Sequence, residues 1–136
     1  MKRLAALVLA LTLTVCLFGC NEQPPQKPKL IDADNIKYVS VTSLPEGYEY
    51  SFAGEDAMAV ADYLLKLNLI VDFKENPDHY VGMTWVISLE YEDGNIITIY
   101  HFANMFIRAN DGPWYQMMVY EEAKLFGTLL NELNNE

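Results

Sequence analysis

The sequence predicts an α+β domain, a two-layer sandwich in which an antiparallel β meander carries two helices on one face in the order β-β-α-β-β-β-β-α. Three features of the chain predict it. Trp85, Ile87, Leu89 and Tyr91 alternate with Val86, Ser88, Glu90 and Glu92 directly before Asp93-Gly94, a period of two that ends in a hairpin signal. Ala57, Val60, Ala61 and Leu64 recur at helical spacing, as do Ala123, Phe126, Leu130 and Leu133. Strand runs joined by tight turns pair with their chain neighbours, and apolar helix stripes need a sheet to cover them.

Taken in order, Ile36 to Ser43 is alternating and β-branched and forms a first strand. Leu44-Pro45-Glu46-Gly47 supplies turn chemistry, and Tyr48 to Phe52 returns as a second strand. Gly54-Glu55-Asp56 opens a helix with acidic residues in the turn where the helix dipole favours them. Asn68 falls near the same face as its apolar stripe, which Met58, Leu65 and Leu67 flank. Asp72 to Gly82 contains Asn76-Pro77-Asp78-His79-Tyr80 and reads as a loop.

Asp93-Gly94 favours a two-residue type I′ turn, because both central residues of that turn need positive φ. With Glu92 and Asn95 as the flanking pair, Trp85 faces Phe102, Ile87 faces Tyr100, Leu89 faces Thr98 and Tyr91 faces Ile96. All eight then share one face, expected to be core. Val86, Ser88, Glu90, Ile97, Ile99 and His101 share the other, mixed face. Met105 to Ala109 and Trp114 to Val119 follow as strands around Asn110-Asp111-Gly112-Pro113, a turn of two or three residues. Glu121 to Leu133 closes the chain as a helix. Gly127 in its interior costs about 1 kcal/mol relative to Ala, so close approach of helix and sheet is expected there.

Upstream, Lys2 and Arg3 precede an apolar run from Leu4 to Val15, and Leu17-Phe18-Gly19-Cys20 follows. This is the layout of an export signal. The run is shorter than the roughly 20 apolar residues of a spanning helix. The segment resembles the lipobox signal of bacterial lipoproteins, with Leu17 at the third position before the cysteine, Gly19 beside it and Cys20 as acceptor. That resemblance implies cleavage after Gly19 and a diacylglycerol on the Cys20 thiol, with acyl chains of the palmitate type. Each buried CH₂ contributes about 0.8 kcal/mol, and two chains hold far more firmly than one. Through the Gly112-Pro113-Trp114-Tyr115 turn region after an aromatic strand and the acidic hairpin, residues Ile36 to Leu133 are similar, more diffusely, to the soluble part of small lipoproteins of Gram-positive bacteria, a likeness that implies no activity.

The organisation expected is therefore a signal peptide over residues 1–19, a lipid-anchored Cys20 with a proline-rich tether over 20–35, and a single domain over 36–136. The stretch Asn21-Glu22-Gln23-Pro24-Pro25-Gln26-Lys27-Pro28-Lys29 is polar and proline-rich, and in an extended state it would hold the domain up to roughly 30 Å from a bilayer. Cys16 leaves with the signal and Cys20 takes the lipid, so no disulfide is expected in the mature chain. The domain has to be stabilised by its own core.

Charge narrows the partners. The chain carries 9 basic and 19 acidic residues; loss of Lys2 and Arg3 with the signal leaves 7 against 19, a formal charge of −12. A surface of that sign repels nucleic acid and anionic headgroups. No nucleic-acid partner is expected, and contact with the membrane is expected through the lipid on Cys20.

Chemistry-bearing motifs are absent from the sequence. His79 and His101 are its histidines, and each reads as structural, the first solvated in a loop and the second packed on a strand. No G-x-S-x-G elbow occurs, and the mature cysteine is the lipid acceptor. Zinc needs three or four ligands at short spacing, which two isolated histidines do not supply. Asp32-Ala33-Asp34-Asn35 and Glu90 to Asp93 are acidic runs of the kind calcium uses, but neither has the EF-hand pattern. No catalytic residue, cofactor or metal site is expected. Aromatics are plentiful, and most are expected in the core; an exposed subset near Trp114 and Tyr115 would make a recognition patch. The reading is a non-enzymatic, lipid-anchored binding or accessory domain on the extracytoplasmic face of the cell membrane, with a protein, peptide or envelope partner. The competing reading is a small cell-envelope hydrolase using a carboxylate pair.

Overall fold

The computed structural model describes residues 27–71 and 76–135. The expected signal segment and Cys20 lie outside the described residues. The elements are β1 (Ile36–Leu44), β2 (Glu49–Ala53), α1 (Gly54–Lys66), β3 (Leu69–Ile70), β4 (Thr84–Tyr91), β5 (Ile96–Phe102), β6 (Phe106–Ala109), β7 (Tyr115–Met117) and α2 (Tyr120–Asn134). The fold is α+β, with two helices and one antiparallel sheet of strand order β2-β1-β4-β5-β6-β7-β3. The expected order of elements holds, with one addition. Strand β3 has two residues, too few to show a period, and it pairs Leu69 with Met117 and Ile70 with Gln116 at the far edge of the sheet.

The connection through α1 explains the topology. The helix leaves β2 at one edge and delivers the chain to β3 at the other, so it must pass beneath the sheet. Ala57, Val60, Ala61 and Leu64 are buried as their spacing predicts. On α2 the buried residues are Ala123, Phe126 and Leu130. These stripes meet Val39 and Val41 of β1, Trp85, Ile87 and Leu89 of β4, and Ile99 of β5 in one core. Phe126 stands at its centre, with ring centroids 4.9 Å from Tyr63, 5.3 Å from His101 and 5.8 Å from Trp85. Burying such a ring contributes about 1.5–3 kcal/mol by area.

The β4–β5 register differs from expectation by one residue. Trp85 pairs with His101, Ile87 with Ile99 and Leu89 with Ile97. The Tyr91 N–H donates to Asn95 O at 2.9 Å and the Gly94 N–H donates to Tyr91 O at 3.0 Å. Glu92, Asp93 and Gly94 therefore form a three-residue loop, a β-turn followed by Gly94 at φ 85°. The Glu92 N–H, which a two-residue turn would place in the ladder, donates instead to Asn35 O at 2.9 Å. Because side chains alternate, this shift turns all of β5 over. Ile97, Ile99 and His101 face the helices, and Ile96, Thr98, Tyr100 and Phe102 face the other way.

A second correction concerns the end of the expected tether. Ile31 is buried in the core, Leu30 packs against it, and Asp32 O accepts the Tyr91 hydroxyl at 2.8 Å. The packed chain thus begins before Ile36. Lys27 Nζ also donates to Leu65 O at the end of α1, at 2.8 Å. The Gly127 expectation is not met in its tight form, since a Cβ there would lie 3.8 Å from Trp85 Cζ2, ordinary contact.

Candidate binding face of the sheet

With both α1 and α2 on one side, neither covers the other face of the sheet. Register places its side chains in rows. Thr42 of β1, Val86 of β4, Tyr100 of β5 and Arg108 of β6 form one row. Ser51, Ser40, Ser88 and Thr98 form the next, a line of hydroxyls. On the other flank, Leu44, Thr84, Phe102 and Phe106 line up. Phe106 is fully buried there, because the turn around Pro77–His79 folds back and sets Tyr80 edge-on to it at 4.8 Å. That turn is built locally: Asn76 Oδ1 accepts from the Asp78 N–H at 3.1 Å, and Pro77 occupies the first helical position.

Arg108 is the distinctive group on this face. Arg3 and Arg108 are the arginines of the sequence. The Arg108 guanidinium carbon lies 4.8 Å from the Tyr100 ring centroid and 4.6 Å from that of Trp114. Trp114 is in turn 6.4 Å from Phe102. Strand pairing brings Tyr100 beside Arg108, and the loop after β6 brings Trp114. Both contacts are cation–π interactions, worth about 0.5–2 kcal/mol each. The ion pairs among the described residues are Lys29–Asp32 and Lys37–Glu90, so Arg108 has no carboxylate partner among them. Its Nε is buried without a hydrogen-bond acceptor.

The sequence did not single out Arg108. The signal was there, an arginine alone in an acidic chain, but the expected register put Tyr100 in the core and hid the pair. The expected patch at Trp114 and Tyr115 divides. Trp114 joins Arg108 on the open face, while Tyr115 packs against the core.

The two acidic runs come together at one end of the sheet. Asp32, Asp34 and Asn35 line an open cleft with Glu92, Asp93 and Asn95. Lys29, 3.1 Å from Asp32, holds that exposed carboxyl below its usual range. Among the described residues no group of three metal-ligating side chains is close enough to hold an ion. The carboxylates share a cleft without converging on a point.

His79 is exposed in its loop, and His101 is fully buried. The Tyr63 hydroxyl donates to Ala123 O at 3.0 Å, which leaves its oxygen to accept from His101 Nε2 at 3.0 Å. Burial lowers the imidazole pKa to about 4, so this histidine is neutral and ties α1 and α2 to the sheet. Cys20, the expected lipid acceptor, lies outside the described residues.

No family model, curated protein or solved structure matches this chain. What can be said of its function rests on its own residues.

Proposed function

We propose that this chain is a lipid-anchored domain on the extracytoplasmic face of a bacterial cell membrane, and that it binds a protein, peptide or envelope partner on the open face of its sheet without catalysing a reaction. The anchor rests on Leu17-Phe18-Gly19-Cys20 behind Lys2, Arg3 and the apolar run. The observation that carries the binding role is Arg108, a cation with no carboxylate partner among the described residues, set against two aromatic rings on the sheet face away from α1 and α2. Aromatic and arginine side chains dominate the energetics of interfaces. Two experiments test the two halves. Cys20→Ala should release the protein from membranes or block its maturation; a mature-length variant still in the membrane fraction sinks the anchor. A photo-crosslinking residue at Ser88, on the open face, should capture a partner on intact cells when one at Thr128, on α2, does not. Equal yields from the two sites would remove the open face as the binding surface.

A second reading draws on the acidic cleft. A small carboxylate-dependent hydrolase would use one carboxyl as general acid, with its pKa raised. Asp32 is shifted the other way by Lys29, so the acid would have to come from Asp34, Glu92 or Asp93. Release of soluble fragments from purified cell wall by the full chain, abolished by Glu92→Gln, would favour this reading.

A further inference from the structure

From the open-face reading above we infer a ligand class: Arg108 binds the terminal carboxylate of a peptide whose last side chain is apolar. The inference rests on that reading and makes it specific. It begins with what Arg108 lacks. A guanidinium has five N–H donors, and in an acidic domain a carboxylate partner is easily found. Here none is found among the described residues, and Nε–H is buried without an acceptor. An orphaned buried donor costs about 1–3 kcal/mol. Stacking on Tyr100 and Trp114 offsets that cost, and it leaves the guanidinium with no carboxylate partner among the described residues.

The chemistry of the ligand follows from what surrounds the cation. Tyr100 and Trp114 lie against the guanidinium and hold it in one orientation. The planar fork that remains matches a carboxylate, which accepts two parallel N–H bonds. A phosphate dianion needs more positive charge or a cluster of backbone N–H groups. Among the described residues the open face has neither, since both α1 and α2 lie behind the sheet and Lys37 is taken by Glu90 at 2.7 Å. The acidity of the whole domain acts further against multiply charged ligands.

Charge complementarity thus selects a single carboxylate, and the neighbours select a peptide. Val86 beside Tyr100, with Phe102 against Trp114, offers apolar contact for one side chain. The hydroxyls of Ser88 and Thr98 in the adjoining row offer hydrogen bonds to a backbone. A sugar acid would instead need open ring faces on which to stack, and the Tyr100 and Trp114 rings already carry the guanidinium.

The test uses the full chain in mild detergent and N-acetyl tripeptides ending in Ala, Leu or Phe. Binding is followed by calorimetry and by the NMR signal of the Trp114 indole N–H. The free acids should bind and move that signal. Their C-terminal amides should bind about ten- to a hundredfold more weakly, the range expected for a charge-assisted pair. Arg108→Gln should abolish the difference between acid and amide, and a thermal melt of that variant shows whether it is folded. A purely structural Arg108 would not distinguish acid from amide in the unsubstituted protein. Equal binding of both forms, binding of glucuronate in place of the peptides, or no binding of the peptides overturns the inference. Continued cross-linking from Ser88 in any of those cases would leave the open-face role standing, and loss of both would remove the two together.

Discussion

The Tyr63 hydroxyl and His101 Nε2 meet at 3.0 Å inside the core, and the same hydroxyl donates to Ala123 O. One hydroxyl hydrogen cannot serve both, so the imidazole carries its proton on Nε2 and leaves Nδ1 as a buried lone pair with no partner. Protonating Nδ1 would put a charge beside the Phe126 ring, 5.3 Å away. Burial is what lowers the His101 pKa to about 4 and also raises that of Tyr63.

A pH dependence of stability results, with a definite sign. The unfolded chain binds a proton at His101 near the ordinary pKa of about 6.5 and the folded chain only near 4. Between those values the unfolded state holds more protons, so stability is intact above about pH 6.5 and falls as pH drops towards 4. The loss between pH 7 and pH 5 should be about 2 kcal/mol. Urea melts at the two values measure it, and His101→Phe should flatten the slope in that window. An unchanged slope in the variant would show that His101 is not its source.

Gly127 lies within α2 where a Cβ would meet Trp85 Cζ2 at 3.8 Å. There is room for a methyl group, and glycine in a helix interior is less favourable than alanine. Gly127→Ala should therefore raise stability by about 0.5–1 kcal/mol. A lower urea midpoint for the variant would mean that α2 sits closer to the sheet than this.

Gly82 is the opposite case. A Cβ there would lie 2.6 Å from Ala103 Cβ and 2.9 Å from Ala103 Cα, and the Ala103 N–H is bonded to Met83 O at 2.9 Å. The clash is with a short side chain and backbone, so neither partner can swing aside. Gly82→Ala should cost about 1–3 kcal/mol, the range for overpacking. Thermal melts of the Gly127 and Gly82 variants side by side should move in opposite directions.

Gly94 tests the hairpin. It holds φ 85°, and a Cβ added there would meet nothing within 4 Å, so substitution meets backbone strain and no steric contact. Gly94→Ala should lose about 1–2 kcal/mol, with Gly94→Asn losing less because asparagine tolerates this region better. Equal losses for the two variants would argue against the left-handed position at the end of the loop.

Much of the fold is legible in local pattern. Both helix stripes, the alternation of β4 and the turn at Leu44-Pro45-Glu46-Gly47 are properties of neighbouring residues, and the structure keeps each of them. The face of β5 is different. Asp93-Gly94 is compatible with a loop of two or three residues, and the choice falls with the Glu92 N–H, which bonds Asn35 O. No local period records that partner. The same holds for β3, too short to show alternation and placed by its pairing with β7, and for Ile31, drawn from an apparently polar leader into the core.

The candidate site follows the same division. The residue types were open to reading from the start: a cationic and apolar run ahead of Cys20, an acidic chain, and a surplus of aromatics. Their juxtaposition was not. Tyr100, Arg108 and Trp114 meet only because β5 turns one particular face outward and β6 pairs beside it. The sequence by itself determined both helices and the longer strands, since helix stripes and strand alternation are written in adjacent residues. Tertiary structure alone decided which face of β5 is core and what stands beside Arg108, because the length of the turn and the contacts across the sheet set the register and alternation carries it along the whole strand.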